Sequence, residues 1–145
     1  MCVCVCVCVC VCVCDVLTMV RFLVCVVLST AFTLSVWIRE RVSHFGDKSI
    51  FTYGYSSFAD AAHLGTEDGN QLYVEVRNQE ALSSATNIDD GNWHLVIMSW
   101  DSAHGNVRVY LDNVQKINTF VTSSAIVSGG GMCVSRRHCG RLALC

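Results

Sequence analysis

Five histidines, eleven cysteines and two pairs of adjacent carboxylates, Glu67-Asp68 and Asp89-Asp90, are the groups in this chain with chemistry for metal binding or acid–base catalysis. Their spacing argues against both uses. His44, His63 and His104 fall in apparent loops, His94 begins a strand, His138 lies near the end, and none has a histidine partner at i+2 or i+4. Cys133, Cys139 and Cys145 with His138 are poorly spaced for zinc, which favours C-x-x-C pairs, and read as free or intermolecular thiols. Both carboxylate pairs sit among turn formers, and the E-x-D-x-x-E pattern of two acids aimed across a sugar does not occur. The chain has no G-x-S-x-G nucleophile turn and no phosphate-binding glycine loop. Trp37, Trp93 and Trp100 have the chemistry of a sugar-stacking platform, although tryptophans on strands more often pack a core.

The elements that must position these groups read as strands. Phe32, Leu34, Val36 and Ile38 alternate with Thr33, Ser35, Trp37 and Arg39, the period-2 pattern of a half-buried strand. Ser49–Tyr53 returns to β-favouring residues, and a long loop is expected over 56–69. Leu72, Val74 and Val76 alternate with polar neighbours, and the small, polar run Ala81–Thr86 suits an edge strand. Asp89-Asp90-Gly91-Asn92 is turn chemistry, Trp93–Trp100 a buried strand, His104-Gly105-Asn106 a hairpin turn, and Val107–Asp112 a second strand. Asp112-Asn113 turns the chain again, so that Val114–Val121 returns as a partner. Short strands at regular spacing, without a helical period, predict an all-β antiparallel sandwich.

A length of 145 residues suits one domain, and a net charge of −2 with no basic stripe excludes a nucleic-acid reader. Seven cysteines occupy every even position from Cys2 to Cys14, alternating with valine. Neighbouring cysteines on one extended face cannot meet disulfide geometry, so this is a low-complexity repeat, as an alternating TG tract translated in frame would give. Between Met1 and Ala31 only Asp15 and Arg21 carry charge. Met19-Val20-Arg21, the apolar Phe22–Leu28 and the small-x-small Ser29-Thr30-Ala31 have the layout of a secretory signal; taken with the repeat, the same run also reads as a membrane span interrupted by Asp15. An artefact of a wrong gene model is the third reading.

In order along the chain, LSTAFTLSVWIR, SIFTYGY, GNQLYVEV, DDGNWHLVIMSWDS, GNVRVYLDN and VSGGGMCV resemble the pentraxin and laminin-G-like domains, concanavalin A-like jelly rolls, over about Leu28 to Val134. The resemblance implies an incomplete jelly-roll sandwich at 31–134, preceded by an apolar, signal-like or membrane-like segment at 1–30 and followed by a divergent basic tail at 135–145. It also carries three departures. Pentraxins join the first matched strand to the W-x-x-x-C-x-x-W strand by a disulfide, and those two positions are Ser35 and Ile97 here. The family holds calcium between an Asp-Asn pair and a Glu-Gln-Asp cluster; Asn70 matches the first loop, with Asp68 near the Asp position now taken by Gly69, and the alternative is that Asp68-Gly69-Asn70 is a plain hairpin turn. The acidic second loop is replaced by Ser135-Arg136-Arg137-His138-Cys139-Gly140, so the calcium site implied by the resemblance is incomplete.

The resemblance implies a non-catalytic extracellular recognition or adhesion module, secreted and represented by a truncated gene model. Its implied partners are a carbohydrate, a phospholipid headgroup or a protein, with oligomers open and calcium as the implied cofactor. The alternative is a membrane-anchored interaction domain of a multidomain adhesion receptor, its apolar amino terminus retained. A lectin-fold hydrolase would need carboxylates beyond Val134.

Overall fold

The computed structural model of the chain describes residues 18–28, 30–40, 48–55, 58–67, 70–126 and 131–134. These form ten strands: β1 Thr18–Leu28, β2 Ala31–Glu40, β3 Lys48–Tyr55, β4 Phe58–Glu67, β5 Gln71–Val76, β6 Gln79–Ala85, β7 Trp93–Asp101, β8 Asn106–Leu111, β9 Val114–Phe120 and β10 Gly131–Val134. They make two five-stranded sheets, in the orders β1-β2-β7-β8-β9 and β10-β3-β4-β5-β6, and every pairing is antiparallel.

The alternation read from the sequence decides which face of β2, β5, β7 and β8 is dry. Leu34, Val36 and Ile38 of β2, Val96 and Met98 of β7, Val107 and Val109 of β8, and Leu72, Val74 and Val76 of β5 are all fully buried. They meet Phe51 and Leu64 of the second sheet in one continuous core. Each buried aliphatic side chain contributes about 1.5–3 kcal/mol relative to its exposed state, so two facing rows of them bind the sheets strongly to one another. Trp100 lies in this core against Phe32, ring centroids 5.7 Å apart, and its indole N–H donates to the Thr122 carbonyl oxygen at 3.1 Å.

Turn chemistry fixes the registers. Asp112 and Asn113 have φ of 50° and 68°, the left-handed pair of a two-residue hairpin, and Leu111 pairs with Val114 across it. Arg77 and Asn78 do the same between β5 and β6, with φ of 51° and 62°. Arg77 is not a turn-forming residue type, which is why this second turn was invisible in the sequence.

The long loop expected over 56–69 is corrected: most of it is strand β4, paired with β3 and β5. Its residues hid it, because Ala61, Ala62, Leu64, Gly65 and Thr66 are all buried, leaving no polar-apolar alternation to read. Gly65 is there for clearance, since a Cβ would come within 2.5 Å of the Lys48 carbonyl oxygen on β3. The apolar run before Ser29 is, over Thr18–Leu28, an outer strand paired along its length with β2. The expected edge strand is β6, at the end of the second sheet. Ser35 and Ile97, the positions where the resemblance implies a disulfide, are direct partners in the β2–β7 ladder.

Candidate functional site

Two features on the first sheet involve the groups singled out above. The first sits where β7 begins. His94 is one of the even-numbered, core-side residues of β7 but lies at the end of the strand, where its ring meets two turns. Its Nδ1 is 2.7 Å from Asp112 Oδ2 and its Nε2 is 2.9 Å from Asp90 Oδ1. The backbone continues the connection, since Leu95 N–H donates to Asp112 Oδ1, Asp112 N–H donates to Leu95 O, and Asn92 N–H donates to Asp90 Oδ1. Arg39 Nε adds a bond to the Gly91 carbonyl oxygen at 2.7 Å.

A neutral imidazole donates from one nitrogen only, so contact with two carboxylates requires the doubly protonated ring. Burial is the largest single influence on His94 and favours the neutral form, but the hydrogen bonds and charges of Asp112 and Asp90 together outweigh it and raise its pKa. The hydrogen bond from His94, followed by those from Asn92, holds the exposed Asp90 carboxyl down to about 2. Both carboxylates are thereby engaged in tying three segments together. The sequence signal for this connection was present, as His94 follows Trp93 and Asp112 ends the Y-x-D element, but no spacing rule joins residues 94 and 112 before the hairpin is folded.

The second feature is the face of the same sheet turned away from the core. Trp37, Ser35 and Thr33 of β2, Leu95, Ile97 and Ser99 of β7, and Tyr110 and Arg108 of β8 alternate with the buried residues. The ladders align them in rows, Trp37 with Leu95, Ser35 with Ile97 and Tyr110, and Thr33 with Ser99 and Arg108. Trp37 keeps 38% of its surface exposed, and Leu95, Ile97 and Tyr110 are half-buried. The three tryptophans thus divide: Trp100 is core, whereas Trp37 and Trp93 flank this outer face.

The remaining expected site residues are scattered. Asn70 closes the β4–β5 hairpin, its N–H donating to Glu67 O and its carbonyl oxygen accepting from both the N–H and the hydroxyl of Thr86. Asp68 lies outside the described residues, as do His44, His138, Cys139 and Cys145. Asn70 Oδ1 is shielded from solvent and takes no hydrogen bond, which suits a hard cation, but calcium needs six to eight oxygens. Among the described residues this turn offers one such side-chain oxygen and the chain holds no cluster of three metal-ligating side chains, so they do not by themselves fit the ion. His63 lies on β4 with its ring 5.3 Å from Tyr73 in an edge-on contact. His104 caps the β7–β8 turn through Asp101.

A family model described as the concanavalin A-like lectin/glucanases superfamily, of the laminin G type, matches residues 20–138. The chain belongs to that superfamily. The match takes in β1 as well as the strands that follow. Among curated proteins, the chain is 27% identical over 106 residues to the sushi, von Willebrand factor type A, EGF and pentraxin domain-containing protein 1 of Rattus norvegicus, and equally so to that of Mus musculus. The aligned part is 72% of this chain but 3% of either relative, so it spans a small fraction of their length. Among solved structures, the full extracellular region of zebrafish Gpr126/Adgrg6 contains a similar fold, with a TM-score of 0.61 at 12% identity, covering 92% of this chain and 17% of that one. Among the described residues of this laminin-G-like chain, no helix is long and apolar enough to cross a membrane.

Proposed function

We propose that the chain is a non-catalytic recognition module that works outside the cell and binds its ligand on the outer face of β2, β7 and β8. The observation that carries this reading is the half-exposed row of Trp37, Leu95, Ile97 and Tyr110, which the core does not use. Tryptophan, tyrosine and arginine are the residues that dominate binding energy at recognition surfaces, and Arg39 and Arg108 border this row. An extracellular setting is supported by the likeness to the extracellular region of zebrafish Gpr126/Adgrg6 and by the pentraxin-domain relatives. A binding role is supported against a catalytic one by the state of the carboxylates beside His94, each already bonded within the fold. Carbohydrate, phospholipid headgroup and protein remain the ligand classes in play.

The test is binding of the purified chain to panels of extracellular glycans, matrix proteins and phospholipid vesicles, alongside assays for hydrolysis of the same glycans. Saturable binding that falls at least tenfold in Trp37→Ala and Tyr110→Ala variants of unchanged melting temperature is expected, with no turnover. Turnover of any glycan, or binding indifferent to both substitutions, would overturn the reading.

A further inference from the structure

At the end of the same outer face, next to the Ser35–Ile97–Tyr110 row, lies a recess of about 310 Å³. That is the lower end of the range for small-ligand sites, room for one ring rather than a chain. Ala31 and the backbone of Phe32 and Trp100, whose side chains turn into the core, form its floor; Thr33, Ser99, Asp101 and Arg108 supply the polar groups. These four are placed by the ladder, with Thr33 opposite Ser99, Ser99 opposite Arg108, and Asp101 opposite Ala31.

The recess is partly prepared and partly unsatisfied. Asp101 Oδ1 accepts the backbone N–H of His104 at 2.8 Å and its ring Nδ1 at 2.8 Å, which fixes the carboxylate without using Oδ2. Those His104 bonds, backbone first, and the nearby Arg108 charge keep Asp101 ionised by lowering its pKa. Arg108 is exposed and makes no hydrogen bond or ion pair among the described residues, and the hydroxyls of Thr33 and Ser99 likewise have none. An oriented carboxylate acceptor, two hydroxyls that donate and accept, and a guanidinium fork therefore converge on one ring-sized space.

We propose that this recess binds a single saccharide ring bearing a carboxylate, with the sugar carboxylate on Arg108 and ring hydroxyls on Asp101, Thr33 and Ser99. A phosphate dianion is disfavoured because Asp101 is part of the same recess and repels it, whereas a sugar acid separates its one charge from its hydroxyls. The proposal deepens the recognition reading above and rests on it, by naming the ligand class.

The experiment is saturation-transfer NMR and titration of the full chain with glucuronate, N-acetylneuraminate, glucose, glycine and inorganic phosphate. Wild type is compared with Arg108→Gln and Thr33→Val, melting temperatures being checked for each. Saturable binding of one or both sugar acids is expected, at least tenfold tighter than glucose and weakened at least fivefold in each variant. Glucuronate and N-acetylneuraminate arms separate the two kinds of sugar acid. Sugar-acid binding unchanged in both variants, no sugar-acid binding, or preference for glycine or phosphate would each overturn the proposal. If the recess fails while Trp37- and Tyr110-dependent binding to the larger panels persists, only the ligand assignment falls; if both vanish, the recognition reading falls with it.

Discussion

Ser35 on β2 and Ile97 on β7 face each other directly across the ladder, on the side of the sheet away from the core. A disulfide at this pair would tie two strands that already share a full run of backbone hydrogen bonds, so its contribution would come from the unfolded chain rather than from native contacts. The pair closes a loop of 97 − 35 = 62 positions, for which chain entropy predicts about 4 kcal/mol, with engineered bridges often reaching less. Ser35→Cys/Ile97→Cys is therefore expected to form that bridge and to raise stability by about 2–4 kcal/mol under oxidising conditions. Peptide mapping for a 35–97 crosslink and denaturant melts with and without reductant check this; a reduced pair in the folded protein would contradict the register.

The His94 connection has a definite pH sign. Because its folded pKa is raised, its stabilisation is present in full below the unfolded value of about 6.5 and is lost as pH rises through the folded value. The stability difference between wild type and His94→Gln should be largest near pH 6 and shrink as the solution becomes alkaline. Melting temperatures of the two proteins measured across that interval test it, and a gap that widens with pH would refute the charged ring.

Asp112 serves two purposes, accepting from the imidazole and from Leu95 N–H while adopting positive φ. Asp112→Ala removes both acceptor roles and puts alanine in a left-handed conformation. A loss of about 1–3 kcal/mol is expected. Asp112→Asn keeps the turn-forming side chain and one acceptor, and should lose less. Equal losses in the two variants would mean that charge, not turn geometry, carries the effect.

Gly105 combines φ of 67° with a crowded site, since a Cβ would approach Phe120 Cε2 to 2.3 Å and Ser123 N to 3.0 Å. Gly105→Ala is expected to cost about 1–3 kcal/mol. Phe120 is exposed, so Phe120→Ala alone should be mild, and the double variant should recover part of the loss. Additive losses would locate the whole penalty in the backbone.

For calcium, the described residues of the β4–β5 turn predict no change of melting temperature between chelator and millimolar calcium, because binding to the native state would raise it. A rise that Asn70→Ala abolishes would show that Asn70, with oxygens beyond those described, does hold the ion.

What the sequence disclosed followed from how sharply each segment divides its two faces. β2, β5, β7 and β8 each bury alternate residues and were legible as strands. β4 was not, because burial on both faces erased its period, and the Arg77-Asn78 turn was not, because ordinary residues adopt the positive φ there. The candidate site was less legible still. Trp37 and Tyr110 come together with Leu95 and Ile97 only through cross-strand register, and Asp101, Ser99 and Arg108 belong to two strands whose alignment the His104-Gly105 turn decides.

The placement of β1 at the outside of its sheet has a consequence for processing. Any cut after Ala31 would leave β2 as the new margin, with a row of bare amides and carbonyls running beside Leu34, Val36 and Ile38. Such a margin invites a replacement ribbon from another chain, so losing the first thirty-one residues would move the open edge of this sheet from β1 to β2, directly beside the core.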